Sequence, residues 1–175
     1  MTQTVFGQTD ALALTIVAWM AAGAWYYQGQ STNPQSFCIP ITPQRRFARR
    51  DDLASLPNYQ QPALVDVFPG LEHGDSRGTS TAFESQYAIR FCIQQQLTGA
   101  ASEEDQCALL SQLRSQIVEG IKTQRFNLTN AVHPVSNVFL HQIRNADRND
   151  LYDQNILQND HVFKSDTILI FKAAV

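Results

Sequence analysis

At 175 residues the chain can close the core of one domain, and its 43% hydrophobic and 17% charged residues are ordinary for a globular protein. Its 13 basic and 16 acidic residues give a net charge of -3, which argues against a dedicated nucleic-acid binder, because phosphate contact needs a basic excess. Cys38, Cys92 and Cys107 are odd in number and widely spaced, which fits reduced thiols rather than a disulfide framework or a zinc site with paired spacings.

The first element is the apolar run Ala11 to Tyr27. A signal peptide would open with Lys or Arg, and Met1 to Asp10 contains neither. A membrane span needs about 20 apolar residues, more than this run offers. With Thr9 or Asp10 as N-cap and Gly29 as its stop, the run reads as a buried core helix, a membrane anchor being the weaker alternative. Phe37, Ile39 and Ile41 then alternate with Cys38, Pro40 and Thr42, a strand that Pro40 assigns to an edge or a bulge. Asp51 to Leu56 reads as a helical turn. Ala63 to Phe68 reads as a second strand stopped by Pro69-Gly70, and Leu71 to Thr81, with Gly74 and Gly78, as a loop.

The clearest strand follows. Phe83, Tyr87, Ile89, Phe91 and Ile93 form one face, expected in the core. Glu84, Gln86, Arg90, Gln94 and Gln96 form the other, expected to meet water or a partner. Ser102-Glu103-Glu104-Asp105 resembles a capping box, and Cys107, Leu110, Arg114, Ile117 and Ile121 recur at helical spacing up to about Gln124. Val138 to Ile143 and Thr167 to Phe171 complete the strands, the latter apolar on both faces as a central strand should be. Asn149 to Asp160 reads as a loop with a short helical turn. The expected fold is therefore α+β, in the order α-β-β-β-α-β-β. It is a single domain over residues 1–175, with a mostly antiparallel sheet of about five strands and two helices on one face.

Catalytic chemistry finds little support. His73, His133, His141 and His161 are scattered singly, with no H-x-x-x-H and no neighbouring cysteine, so no metal ligand is assigned. No G-x-S-x-G elbow occurs, and the glycines of the Leu71 to Thr81 region lack the Lys-Ser/Thr of a phosphate loop. His73, Asp75 and Ser76 supply triad-type residues, but triads converge from separated positions, so a small hydrolase is a weak alternative. Arg45, Arg46, Arg49 and Arg50 are the densest charge cluster. They suit phosphate contact or pairing with Asp51, Asp52 or a neighbouring subunit's carboxylates, and pairing is favoured. No catalytic, cofactor or metal residue is assigned. The interaction candidates are Arg45, Arg46, Arg49, Arg50, Glu84, Gln86, Arg90, Gln94 and Gln96.

Three stretches resemble the bacteriophage tail-terminator, or tail-completion, proteins. They are Arg45-Arg46-Phe47 with Asp51-Asp52-Leu53 and Ala63 to Pro69; the alternating strand Glu84 to Gln96; and Asp150-Leu151-Tyr152-Asp153 with Leu157, Phe163-Lys164-Ser165 and the strand Ile168 to Phe171. The resemblance implies a non-enzymatic virion protein of the tail and neck, made in the host bacterial cytoplasm. It implies a homo-oligomeric ring, a hexamer, that ends tail-tube polymerisation and contacts the major tail protein and a neck or stopper protein. DNA would pass through the lumen without sequence-specific binding, needing no cofactor and no membrane. A head–tail connector or head-closure subunit is the close alternative.

Overall fold

The computed structural model describes residues 7–28, 37–76, 83–145 and 152–173, with the backbone alone for 71–76, 83–85 and 145. The elements run α1 (Gln8–Ala22), β1 (Tyr26–Tyr27), β2 (Phe37–Cys38), β3 (Ile41–Arg45), a 3-10 turn (Leu53–Ser55), β4 (Ala63–Ser76), β5 (Phe83–Gln96), α2 (Glu103–Thr123), β6 (Phe126–Leu128), β7 (Val135–Asn145), α3 (Gln154–Asp160) and β8 (Val162–Ala173). Six strands form one mixed sheet in the order β3-β4-β5-β8-β7-β6, and β1 with β2 forms a separate two-stranded ribbon. Among the described strands only β3 and β4 pair in parallel and the other strand pairs are antiparallel, with an isolated parallel bridge between Asn58 and Gln96. The fold is thus α+β as expected, with more strands and one more helix than the sequence pattern gives.

Alternation builds the core. Val65 and Val67 of β4, Tyr87, Ile89, Phe91 and Ile93 of β5, and Leu169 and Phe171 of β8 are buried in one cluster. Leu12, Ile16 and Met20 of α1 and Leu110, Leu113, Ile117 and Ile121 of α2 complete it. Each such side chain contributes about 1.5–3 kcal/mol by leaving water. The helices approach closely where Gly120 of α2 meets the Trp19 ring of α1, which lies 2.9 Å from where a Cβ on that glycine would stand. α2 begins as its sequence indicates: Ser102 Oγ accepts a hydrogen bond from Asp105 N at 3.2 Å.

Several boundaries differ from the sequence reading. Neither Thr9 nor Asp10 caps α1, whose N-cap is Gly7, and α1 stops at Ala22 rather than Gly29, a residue outside the described set. Trp25 folds back instead: its ring meets Trp19 edge-on at 5.3 Å and its Nε1 donates to Met20 O at 3.1 Å. Tyr26 and Tyr27 then pair with β2. The other edge of this ribbon is closed by side chains. Gln116 both accepts from Tyr26 N and donates to Tyr26 O, and Gln112 does the same for Gln28. The expected strand Phe37 to Thr42 divides at Pro40 into β2 and β3, and β3 is the sheet edge that the proline indicated.

β4 is not stopped by Pro69-Gly70. It passes through them with a register shift between Pro69 and Glu72 and continues to Ser76, so residues 71–76 of the expected loop are strand, and residues 77–82 lie outside the described set. The proline is tolerated for a geometric reason. Ala63 N donates to Pro40 O, and Val67 O accepts from Arg46 N, so this alternate set of β4 backbone groups faces β3. Pro69 belongs to the same set, and β3 pairs only as far as Val67. The N–H that proline lacks would have had no strand to meet. Gly70 is also required, because a Cβ there would stand 2.6 Å from Ala88 O on β5.

Candidate functional site

The arginine cluster does not act as one unit. β3 ends at Arg45, Arg46 N still donates to Val67 O of β4, and residues 46–49 then form a bend, here termed the finger, with Phe47, Ala48 and Arg49 exposed before the 3-10 turn. Arg45 Nη1 binds Asp10 Oδ1 of α1 at 2.7 Å, both side chains being partly exposed. Arg50 Nε binds Asp66 Oδ2 of β4 at 2.8 Å, with the Asp66 side chain wholly buried. These two arginines staple the feet of the finger. The partners expected from the sequence, Asp51 and Asp52, are not the ones used; Asp52 instead caps the 3-10 turn by accepting from Ala54 N at 3.0 Å. Exposed pairs such as Arg45–Asp10 are worth about 0–1 kcal/mol, whereas the Asp66 carboxylate has no route to water and depends on its partners.

The tip carries the other two. Arg46 Nε donates to Ala48 O at 3.2 Å and Arg49 is exposed. Between them Phe47 is 73% exposed, the most exposed of the large hydrophobic side chains described, with the Arg45 guanidinium 5.0 Å from its ring centroid. Leaving a phenyl ring in water forgoes about 1.5–3 kcal/mol of burial, which cation–π contact with Arg45 recovers only in part. Phe47 is not among the interaction candidates expected from the sequence. An aromatic between two arginines in a turn was the available signal.

The polar face of β5 is not simply a wet face. Gln94 is buried, Arg90 and Gln96 are half-buried, Gln86 is half-buried at the outer end, and the Glu84 side chain lies outside the described set. The correction has a physical cause: the segment between β3 and β4 folds back over this face. Gln96 Nε2 donates to Leu53 O at 2.9 Å, and Leu56 packs with Leu64 and Val162. Beneath lies a row of polar groups in register, Gln44 opposite Asp66, Asp66 opposite Cys92 and Cys92 opposite Asp166. Asp66 also accepts from Gln44 Nε2 at 2.7 Å and from Gln94 Nε2 at 3.4 Å, while Arg90 grips Asp166 through both Nε and Nη2. Among the described residues, Gln94 Oε1 is the buried side-chain atom left without a partner. Burial, with the Asp166 carboxylate adding to it, pushes the Cys92 thiol well above its ordinary value, so it stays neutral and unreactive.

A second surface lies between α2 and α3. A cleft of about 550 Å³ is lined by Glu103, Glu104, Cys107, Ala108, Tyr152 and Leu157 among others. Asp153 caps α3 by accepting from Asn155 N and Ile156 N, and His161, in the left-handed region at φ 52°, ends it. His161 Nδ1 lies 2.9 Å from Glu103 Oε1, tying the two helices across the cleft mouth. Cys107 has its thiol raised, chiefly by burial and further by Glu103 and Glu104, so nucleophilic use is disfavoured. The triad-type residues His73, Asp75 and Ser76 sit on the β4 backbone opposite Gln86, Glu84 and Phe83, and their side chains lie outside the described set. Among the described residues no group of three or more His, Cys, Asp or Glu side chains could hold a metal, and no helix is long and apolar enough to cross a membrane. Compared with known proteins, the chain matches no family model and no curated sequence.

Proposed function

We propose that the chain is a structural virion protein of the bacteriophage tail-terminator type. In this reading copies form a ring, a hexamer, at the head-proximal end of the tail, stop polymerisation of the tube and join it to a neck or stopper protein. DNA passes through the lumen without being read, and the chain carries no catalytic step. The observation that carries the reading is the finger at residues 46–49. It is pinned at both feet by ion pairs to α1 and β4, yet it offers Phe47 and Arg49 to solvent beside a half-buried Arg46. Such a pre-ordered, exposed aromatic with flanking arginines has the composition of interface anchors, which lose little entropy on docking. The α+β frame of one large sheet with helices against one face gives the finger a rigid mount.

The test is direct. Purified protein should form rings visible by negative-stain electron microscopy and should cap isolated tail tubes, blocking further growth. Protein that stays monomeric at high concentration and never associates with tubes would refute the reading. Protein that remains with heads after tails detach would reassign it to the head–tail connectors.

A further inference from the structure

The finger and the α2–α3 cleft are opposite in charge and comparable in size. Arg46 and Arg49 flank an exposed phenyl ring; Glu103 and Glu104 rim a cleft whose walls include Cys107, Ala108, Tyr152 and Leu157. At about 550 Å³ the cleft lies within the ~300–1,000 Å³ of pockets that enclose small ligands, so a phenyl ring with part of a guanidinium fits its scale. We propose that the Phe47 finger of one copy docks into the α2–α3 cleft of a second copy; the inference rests on the ring reading above and names the interface that builds the ring.

A copy cannot fill its own cleft. The finger follows β3 at the sheet edge, whereas the cleft lies by the start of β8, with β4 and β5 between them. Three strand spacings put the two about 14 Å apart across the sheet. Arg45 is level, through Val67 and Phe91, with Thr167 of β8, five residues beyond Val162 where β8 leaves α3. That adds about 16 Å along the strands. The two surfaces differ, so the contact is heterologous: each docking event leaves one finger and one cleft unfilled, and addition continues until a ring closes. The positive tip meeting a negative rim also favours correct docking over finger-to-finger or cleft-to-cleft contact, where like charges face each other.

The experiment uses the full chain with the exposed Cys38 replaced by Ser. Phe47→Cys, which should fold normally because the ring is solvent-exposed, is combined with native Cys107 and, at alkaline pH so that the raised Cys107 thiol ionises, oxidised with diamide or bridged with a short bis-maleimide. A ladder of covalent multimers on a non-reducing gel, absent in F47C/C107S, is expected. In parallel, R46E/R49E should weaken self-association on the order of tenfold or more by sedimentation, and mixing it with E103K/E104K should restore mixed oligomers. Circular dichroism checks that each variant keeps its fold. Rings that form without the cross-link and survive R46E/R49E would overturn this interface while leaving the ring reading intact. A native protein that is monomeric at every concentration would overturn both.

Discussion

Removing the Asp66 carboxylate tests how the finger is held. Asp66 is wholly buried and accepts from Gln44 Nε2 at 2.7 Å, from Arg50 Nε at 2.8 Å and Nη2 at 3.4 Å, and more weakly from Gln94 Nε2 at 3.4 Å. Breaking a buried pair from one side costs about 3–5 kcal/mol when the surviving charge stays trapped. Here the Arg50 side chain is 19% exposed and can swing toward water, so the charge term is discounted. The Gln94 amide cannot follow, since that residue is 2% exposed, and an orphaned buried donor costs about 1–3 kcal/mol. Asp66→Ala should therefore destabilise by roughly 2–4 kcal/mol, with Gln94 and the cavity as the main terms. Urea unfolding followed by circular dichroism measures this. The double variant Arg50→Met/Asp66→Leu should regain part of the loss but not all, because Gln94 keeps no acceptor. A cost below about 1 kcal/mol for Asp66→Ala, or no coupling between the two sites in the cycle, would refute the claim that this ion pair secures the finger.

The other predictions concern core, helix contact and thiols. Ile89→Asp places a carboxylate at a fully buried β5 position with no partner and should leave the chain unfolded, seen as lost cooperative melting. Gly120→Ala gains about 1 kcal/mol of helix propensity but drives a Cβ to 2.9 Å from the Trp19 ring, a rigid group wedged against Trp25 and Phe126. Overpacking of this kind costs about 1–3 kcal/mol, so a net loss is expected, and a raised melting temperature would contradict it. Alkylation followed by mass spectrometry should modify Cys38 readily and Cys92 only on unfolding; labelling of Cys92 at the Cys38 rate in native protein would refute its burial. Because the folded Cys92 holds its proton above the ordinary value of 9.0, the unfolded chain binds fewer protons in that window. Stability is then fully present below about pH 9 and falls above it, by up to ~1.4 kcal/mol per pH unit for this group, until the folded thiol itself titrates. Cys92→Ala should flatten that slope.

The elements governed by local chemistry were legible from the sequence. α2 shows its Ser102 cap, its spacing of three and four, and its end at the Gln124 C-cap, because caps and helical periodicity act over a few residues. β8, apolar on both faces, lies between β5 and β7 as such a strand should. The elements decided by distant contacts were not. α1 ends at Ala22 with Gly23 as its C-cap, an earlier glycine stop than the expected Gly29; which of the two glycines ends the helix is decided by Trp25 turning back onto Trp19, where a Cβ on Gly23 would stand 2.8 Å from the Trp25 ring. Pro69-Gly70 has the composition of a stop, and only the absence of β3 alongside it lets β4 pass. β6 is three residues long and has meaning only as a partner of β7.

The candidate site repeats that division with a functional consequence. Four arginines within six positions form one feature in the sequence, and neighbouring aspartates are the obvious partners. The fold supplies partners 35 and 16 residues away, Asp10 and Asp66, and so gives the four residues two jobs. Arg45 and Arg50 become anchors, and Arg46 and Arg49 are left to carry charge beside Phe47. An aspartate inside the apolar run Ala63 to Phe68 was the sequence's one sign of this, because a strand that buries a carboxylate must bring a cation to it. In the proposed interface the two anchors would hold the basic segment at both ends, so that docking into a neighbour's cleft would cost less ordering entropy. Reversing Asp10 and Arg45 together should accordingly preserve assembly, whereas Asp10→Arg alone should weaken it without touching any group at the proposed interface, a result that sedimentation of the two variants distinguishes.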